Sequence, residues 1–285
     1  MDFCNEREAN PFETNVKSTI EFLTALFDKG YSYTAINAAK SAIQALSISE
    51  TCSSHDDNLL KRFMKGVFNC RPNLPKYKST WDVNKIFDLF VAWGPSEKLG
   101  LMKLTLKTSV LLLLLSGRRG NSIINISLDD ITMEDERVRI HISKLTKTSG
   151  PGKHVPDIII NRFSNPLLCM MGSLKEYINC TSRLRNSRQL FVSYVWPHGP
   201  VTRDTLSRWT KRVMSEAGID LKQFQPHSMR SAVVSKAASK EVSLATIIAT
   251  IGWRQAATVA KFYHRPIEQA DGSEVSQALL SHHGQ

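Results

Sequence analysis

Apolar residues recur at helical spacing through residues 14–47. Val16, Ile20, Leu23 and Phe27 fall on one stripe, Gly30 interrupts it, and Ile36, Ala39, Ile43 and Leu46 repeat the pattern. This predicts two amphipathic helices. A third is predicted over "NLLKRFMKGVFN", with Leu59, Leu60, Phe63, Met64 and Phe68 turned inward and a basic opposite face. The prolines and polar residues of "RPNLPKYKS" then predict an extended linker, which places a domain boundary at residues 71–81. Beyond it, "DVNKIFDLFVAW" and "LGLMKLTLKTSVLLLLLSG" read as helices. The second is apolar nearly all round towards its end and is expected to be buried.

The pattern then changes period. Val138, Ile140 and Ile142 alternate with polar residues, the chain turns through "SGPG", and the β-branched run "DIII" follows, predicting a hairpin or a small three-stranded sheet. Helical spacing returns over 166–180, 202–218, 227–238, 243–252 and 256–263. The expected fold is mainly α with one small antiparallel sheet. There is no internal repeat and no low-complexity tract.

A chain of 285 residues with 42% hydrophobic side chains is long enough for one large domain or two ordinary ones. Its longest apolar run, "VLLLLL", is far shorter than the roughly 20 residues that span a bilayer, and "MDFCNEREAN" lacks a signal pattern, so no membrane partner is expected. The five cysteines form no C-x-x-C pair, which argues against a disulfide framework and a zinc site and for a reducing compartment. No structural metal is expected.

Charge changes the picture more. The formal net charge is +11, and nearly all of the excess lies beyond residue 81. A polyanion such as nucleic acid is the first partner this suggests, although a merely soluble basic surface would read the same way. Six Lys or Arg and no acid lie between Lys61 and Lys78: Lys61, Arg62, Lys65, Arg71, Lys76 and Lys78. They read as a phosphate-contacting arm or as a solvated helix face.

His227-x-x-Arg230 alone carries little weight, since a surface pair one helical turn apart has the same spacing. Its company carries more. Upstream, "LLLLLSGRRGNSI" sets Arg118 and Arg119 directly after a buried helix and a glycine; downstream, "TIIATIGWRQAATVAKFYHRP" sets Trp253 and Tyr263 on successive short segments. Two adjacent guanidiniums there are poorly explained by packing.

On these residues the chain resembles the tyrosine recombinase (phage integrase) family over most of 82–266. The family's first arginine, in a pattern like T-G-L-R-I-S-E-L, falls on Arg119 of "SGRRGNSI", with Arg118 where Leu is usual. H-x-L-R falls on His227 to Arg230, L-G-H (or L-G-W) on Ile251 to Trp253, and the nucleophile on Tyr263. A strand-turn pattern like S-K-T-G-x-K selects Lys147 of "TKTSGPGK", with Lys144 and Lys153 as alternatives in the same hairpin. Ser122 departs from the frequent acidic residue three positions after the first arginine, and ten residues rather than nine separate Trp253 from Tyr263. "HSMRSA" with "IGWRQAATVAKFYHRP" is most similar to the recombinases of DIRS-like retrotransposons.

These residue types suit phosphodiester chemistry. A phosphorane-like state gathers charge on its nonbridging oxygens, and Arg119 and Arg230 offer planar donor forks that stay charged at any relevant pH. A tyrosine of pKa about 10 needs help to ionise, and a histidine near 6.5 can accept its proton, which makes His227 the candidate base. Lys147 could protonate the leaving 5′-oxygen, and the Trp253 indole N–H could donate to a phosphate oxygen. Phe262 is expected to face the core and Tyr263 the site, with Tyr177 and Tyr194 structural.

The resemblance implies an N-terminal helical core-binding (SAM-like) domain at 1–70, a basic linker at 71–81, a catalytic domain at 82–266 and a C-terminal tail at 267–285 whose "SEVSQALL" could dock on a neighbour. The two domains would clamp double-stranded DNA. It further implies cleavage and rejoining through a 3′-phosphotyrosine without cofactor, metal or ATP, a tetramer on two DNA sites, integration of a mobile element, and a nuclear location. Arg118 joins the DNA-contacting set. Two rival readings are a recombinase-derived DNA-binding protein that no longer cuts and a DNA-relaxing topoisomerase of the same chemistry.

Overall fold

Residues 2–5, 10, 15–46, 54–72, 79–144, 155–252 and 267 are described by the structure, a computed structural model. They fall into two units, Met1–Lys76 and Tyr77–Gln285. Lys76, Lys78, the "SGPG" turn, the helix expected at 256–263 and the tail helix expected at 273–280 lie outside the described residues.

The first unit is helical: α1 (Asp2–Asn5), α2 (Val16–Asp28), α3 (Tyr33–Leu46) and α4 (Ser54–Cys70). Asn15 starts α2 because its side-chain oxygen accepts the Ser18 amide at 2.8 Å, satisfying a donor the helix itself leaves open. Gly30, with φ +87°, turns the chain towards α3. Leu23, Ile36, Leu60, Met64 and Val67 form the core. Val67 takes the inward place expected of Phe68, which is 41% exposed and meets Tyr33 edge-on at 5.4 Å. Leu46, at the frayed end of its stripe, is also exposed.

On the other face of α4, Lys61, Arg62 and Lys65 are exposed. Arg71 behaves differently. One guanidinium nitrogen donates to the carbonyls of Phe27 (2.6 Å) and Tyr31 (3.1 Å), and the group lies 3.9 Å from the centre of the Phe27 ring. Phe27 lies in the last turn of α2 and Tyr31 in the turn that follows it, where a cation meets the negative end of the helix dipole. Arg71 thus holds α2 to the end of α4, a structural task that the basic run in the sequence hides.

In the second unit, α5 (Asn84–Trp93) leads to α6 (Leu101–Ser116), α7 (Gly120–Ile124), a sheet of β1 (Ile131–Met133), β2 (Arg137–Ile140) and β3 (Ile158–Asn161), and then α8 (Met170–Thr181), α9 (Arg203–Glu216), α10 (Met229–Ser239) and α11 (Leu244–Ile251). Every side chain from Leu104 to Leu114 of α6 is buried, as its all-round apolar pattern predicts. The polar ones find acceptors within α6 or beside it: the Lys107 amine, fully buried, donates to the Gly94 carbonyl at 2.8 Å, and burial lowers its pKa. Around α6 pack α7, α8, α9, α10 and β3.

The sheet is antiparallel in the order β1-β2-β3, with Val138 opposite Ile160 and Ile140 opposite Ile158. Val138, Ile140 and Ile158 face the core while Arg137 and Arg139 face away, the alternation read from the sequence. Ile142 lies past the end of β2, partly buried against the same core. Thr80 and Trp81, assigned to the linker by composition, are buried in this unit. Among the described residues no helix is long and apolar enough to cross a membrane.

Replacing Arg71 by Met keeps the contact with Phe27 and removes both hydrogen bonds. We expect the first unit to lose about 1.5–3 kcal/mol, the worth of hydrogen bonds from a charged group. Amide exchange in α2 and α4 of the full chain would then accelerate, whereas Lys61→Gln, on the exposed face, should leave it unchanged.

Candidate active site

The site begins where α6 must stop. Gly117 adopts the left-handed conformation (φ +59°), and its amide caps the Leu113 carbonyl at 3.0 Å, so the chain leaves the buried helix and delivers two arginines. Arg119 is the N-cap residue of α7, its carbonyl accepting the Ser122 amide at 2.9 Å, which fixes the backbone from which its side chain reaches the cleft. At Gly120, α7 passes α9 at ordinary contact distance: a Cβ there would stand 3.6 Å from Leu206 Cδ2.

The second wall comes from residues 225–230. Pro226 opens a short 3-10 turn over Pro226–Ser228, and α10 follows directly. Ser228 is fixed twice: its amide donates to the Gln225 carbonyl at 2.7 Å, and its hydroxyl accepts the Trp81 indole N–H at 2.9 Å, with both side chains about 1% exposed. Lys236 of α10 pairs with Asp82 at 3.2 Å. The segment leaving the linker is therefore bolted to the helix that carries Arg230, with Ser228 lying between His227 and Arg230 in sequence.

Arg119, His227 and Arg230 converge on one cleft of about 590 Å³, also lined by Asn121, Ser122, Gln225 and, from α9, Arg203, Ser207 and Lys211. Arg230 is 5% exposed, whereas His227 lies at the open edge. None of the described lining residues is acidic. The His227 pKa is accordingly lowered from 6.5, first by burial of its ring among these side chains and then by the charges of Arg230, Arg119 and Arg203. Ser122, standing where a carboxylate is frequent in the family the chain resembles, is only 9% exposed and leaves the cleft uniformly cationic or neutral. Such a pocket suits a phosphate: guanidinium forks for nonbridging oxygens, and an imidazole that stays neutral, able to accept a proton, below the usual histidine range.

Lys147, Lys153, Trp253 and Tyr263 lie outside the described residues, as does Phe262; Lys144 is described and exposed beyond β2. Arg118, expected in the DNA-contacting set, also lines this cleft. It is 4% exposed, and its guanidinium donates to the carbonyls of Pro156 (2.6 Å) and Ile251 (3.2 Å). Sequence reasoning missed Arg203 and Lys211, although the signal was there: Arg203, Ser207 and Lys211 are spaced i, i+4, i+8 along α9, a polar stripe beside the buried Leu206 and Trp209. Tyr177 is buried with its hydroxyl accepting the Val192 amide at 3.0 Å, and Tyr194 stacks on Trp209 at 5.4 Å.

Compared with known families, residues 96–269 match the phage integrase family. No curated protein matches by sequence. Among solved structures, the Tn1549 transposon integrase in complex with transposon right end DNA superposes with a TM-score of 0.61 at 14% identity, covering 95% of this chain and 86% of that one. A lambda integrase dimer bound to a COC' core site gives 0.52 at 15% identity, covering 91% and 68%. A lambda integrase tetramer bound to a Holliday junction gives 0.50 at 15%, covering 90% and 68%. These likenesses show the fold, a mainly helical domain with a three-stranded antiparallel sheet.

His227 should titrate below 6.5 in the folded chain, measured by chemical-shift titration of its ring. Arg203→Gln removes one of the three cations that oppose its protonation, so the midpoint should move up towards 6.5. A midpoint unmoved by the substitution would remove Arg203 from the electrostatics of the site.

Proposed function

Because the chain belongs to the phage integrase family of tyrosine recombinases, we propose that it cleaves and rejoins duplex DNA at specific sites through a covalent bond to Tyr263. The observation that carries this reading is the convergence of Arg119, His227 and Arg230, from two stretches more than 100 residues apart in sequence, on one cleft without acidic described lining. In the proposed reaction the Tyr263 hydroxyl loses its proton to His227 and attacks the scissile phosphorus. Arg119 and Arg230 stabilise the phosphorane, and the 5′-oxygen departs with a proton from Lys147 as the 3′-phosphotyrosyl bond forms. A 5′-hydroxyl from the same or another strand reverses the step. The energy of the phosphodiester is retained in the protein–DNA bond, so the chemistry itself requires no ATP and no metal.

The reading extends to setting. Similarity of "HSMRSA" and "IGWRQAATVAKFYHRP" to DIRS-like retrotransposon recombinases supports a mobile element that is integrated in the nucleus. Exchange between two duplexes needs two cleaved sites held together, which favours a tetramer, and a lambda integrase tetramer on a Holliday junction shares this fold. In the first unit, the exposed Lys61, Arg62 and Lys65 of α4 supply backbone contacts.

The test is the adduct. Incubated with nicked duplexes carrying candidate terminal repeats, the chain should form a denaturant-resistant complex whose proteolysis leaves a phosphotyrosine peptide containing Tyr263. Tyr263→Phe should keep DNA affinity and form none; a labelled peptide containing Tyr177 or Tyr194 would overturn the assignment. Lys147→Ala should slow cleavage strongly on ordinary DNA and much less where sulfur replaces the bridging oxygen, because a thiolate leaves without a proton. Equal losses on both substrates would take that role from Lys147.

A further inference from the structure

Two helix ends meet beneath the cleft. Gly117, the left-handed cap of α6, lies against Ile251: a Cβ on it would come within 2.8 Å of Ile251 Cδ1. Gly252, the left-handed cap of α11 (φ +72°), lies against Arg118: a Cβ there would collide with Nη1 and stand 3.6 Å from Pro156 Cδ. Between them sits the Arg118 guanidinium, giving one nitrogen to the Ile251 carbonyl at 3.2 Å and the other to the Pro156 carbonyl at 2.6 Å.

Each partner has a physical reason to take a cation. Ile251 is the last residue of α11, whose final carbonyls have no acceptor role left within the helix and carry the negative end of its dipole. Pro156 precedes Asp157, whose carboxylate favours the Arg118 charge and is itself held by His141 at 2.9 Å and Arg139 at 3.6 Å. A leucine here could fill the volume but donate nothing. The charge is buried at 4% exposure, a cost that a filler would not incur and that these contacts offset only in part, since burial still lowers its pKa.

We propose that Arg118 is a positioning residue, a buried clasp that ties the end of α11, where residues 253–263 begin, to the foot of β3, where the hairpin bearing Lys147 ends. Its backbone adjoins Arg119, so one residue links the phosphate-binding arginine to the described ends, Pro156 and Ile251, of the two stretches that carry Lys147 and Tyr263 in sequence. The catalytic consequence rests on the reading of Lys147 and Tyr263 given above; the clasp itself does not.

Hydrogen exchange and cleavage together test it on the full chain. Arg118→Met keeps the volume and removes the donors, while Arg118→Lys keeps the charge but can reach only one of the two carbonyls. With Met, peptides spanning 244–252 and 155–161 should both exchange faster, with 203–216 unchanged; with Lys, protection should return in part. On the nicked duplexes that trap the wild-type chain, Arg118→Met should slow adduct formation by about ten-fold or more, the scale of a lost charged-group hydrogen bond, with affinity changed less than about two-fold. Guanidinium added to Arg118→Ala should restore part of the rate.

Exchange that rises in only one of the two windows, or equally throughout the unit, overturns the clasp. So does weakened DNA affinity with an unchanged cleavage rate, which would make Arg118 a DNA contact. Should the wild-type chain form no adduct, the proposed function fails, and the exchange pattern still decides the clasp. Should Arg118→Met not fold, Arg118→Lys alone carries the exchange test.

Discussion

The burial of α6 on every side constrains all that surrounds it. A helix whose whole circumference is in the core cannot bend or slide without opening contacts to α7, α8, α9, α10 and β3 together, so the point at which it ends is fixed. That point is Gly117. Arg118 and Arg119 leave it in succession, both beside the cleft but the first almost wholly buried, and the difference in their surroundings follows from this single turn. Packing alone would place an apolar residue at 118. The guanidinium is tolerated because two carbonyls and the end of a helix await it.

The opposite wall is fixed by a different device. Trp81 fills core volume and also donates to Ser228, so an apolar anchor and a directional bond act on the same turn. The hydrogen bond matters because a 3-10 turn is a weakly held element by itself. With Ser228 fixed and Lys236 paired to Asp82, the entry to α10 has no freedom to slide along its axis, and the position of Arg230 is inherited from the core.

Much of this was legible in the sequence, for identifiable reasons. The stripe through Val16, Ile20 and Leu23, the all-round apolar α6 and the alternation at Val138 and Ile140 all report burial directly, because burial is what their periods encode. Arg119, His227 and Arg230 were legible through their neighbours rather than their spacing. What the sequence concealed was the use to which a charge is put. Arg71 and Arg118 read as cations facing a polyanion, yet both meet carbonyls at helix C-termini, and a sequence cannot distinguish a phosphate oxygen from a peptide oxygen as acceptor. Phe68 and Val67 exchanged places because adjacent positions differ by only a fraction of a turn. The outward stripe of Arg203, Ser207 and Lys211 went unread because polar faces of helices are usually just solvated.

Tyr177 gives the protein an internal chemical contrast. Its phenol is pushed up to about 12, chiefly by burial, against the opposing pull of the Val192 backbone contact and the nearby Arg185. Reagents that nitrate or iodinate tyrosine act on the phenolate, a form this residue does not reach under native conditions. Tyr177 is therefore a built-in blank: modification of it reports loss of the fold, and any labelling obtained while it stays untouched belongs to the folded protein.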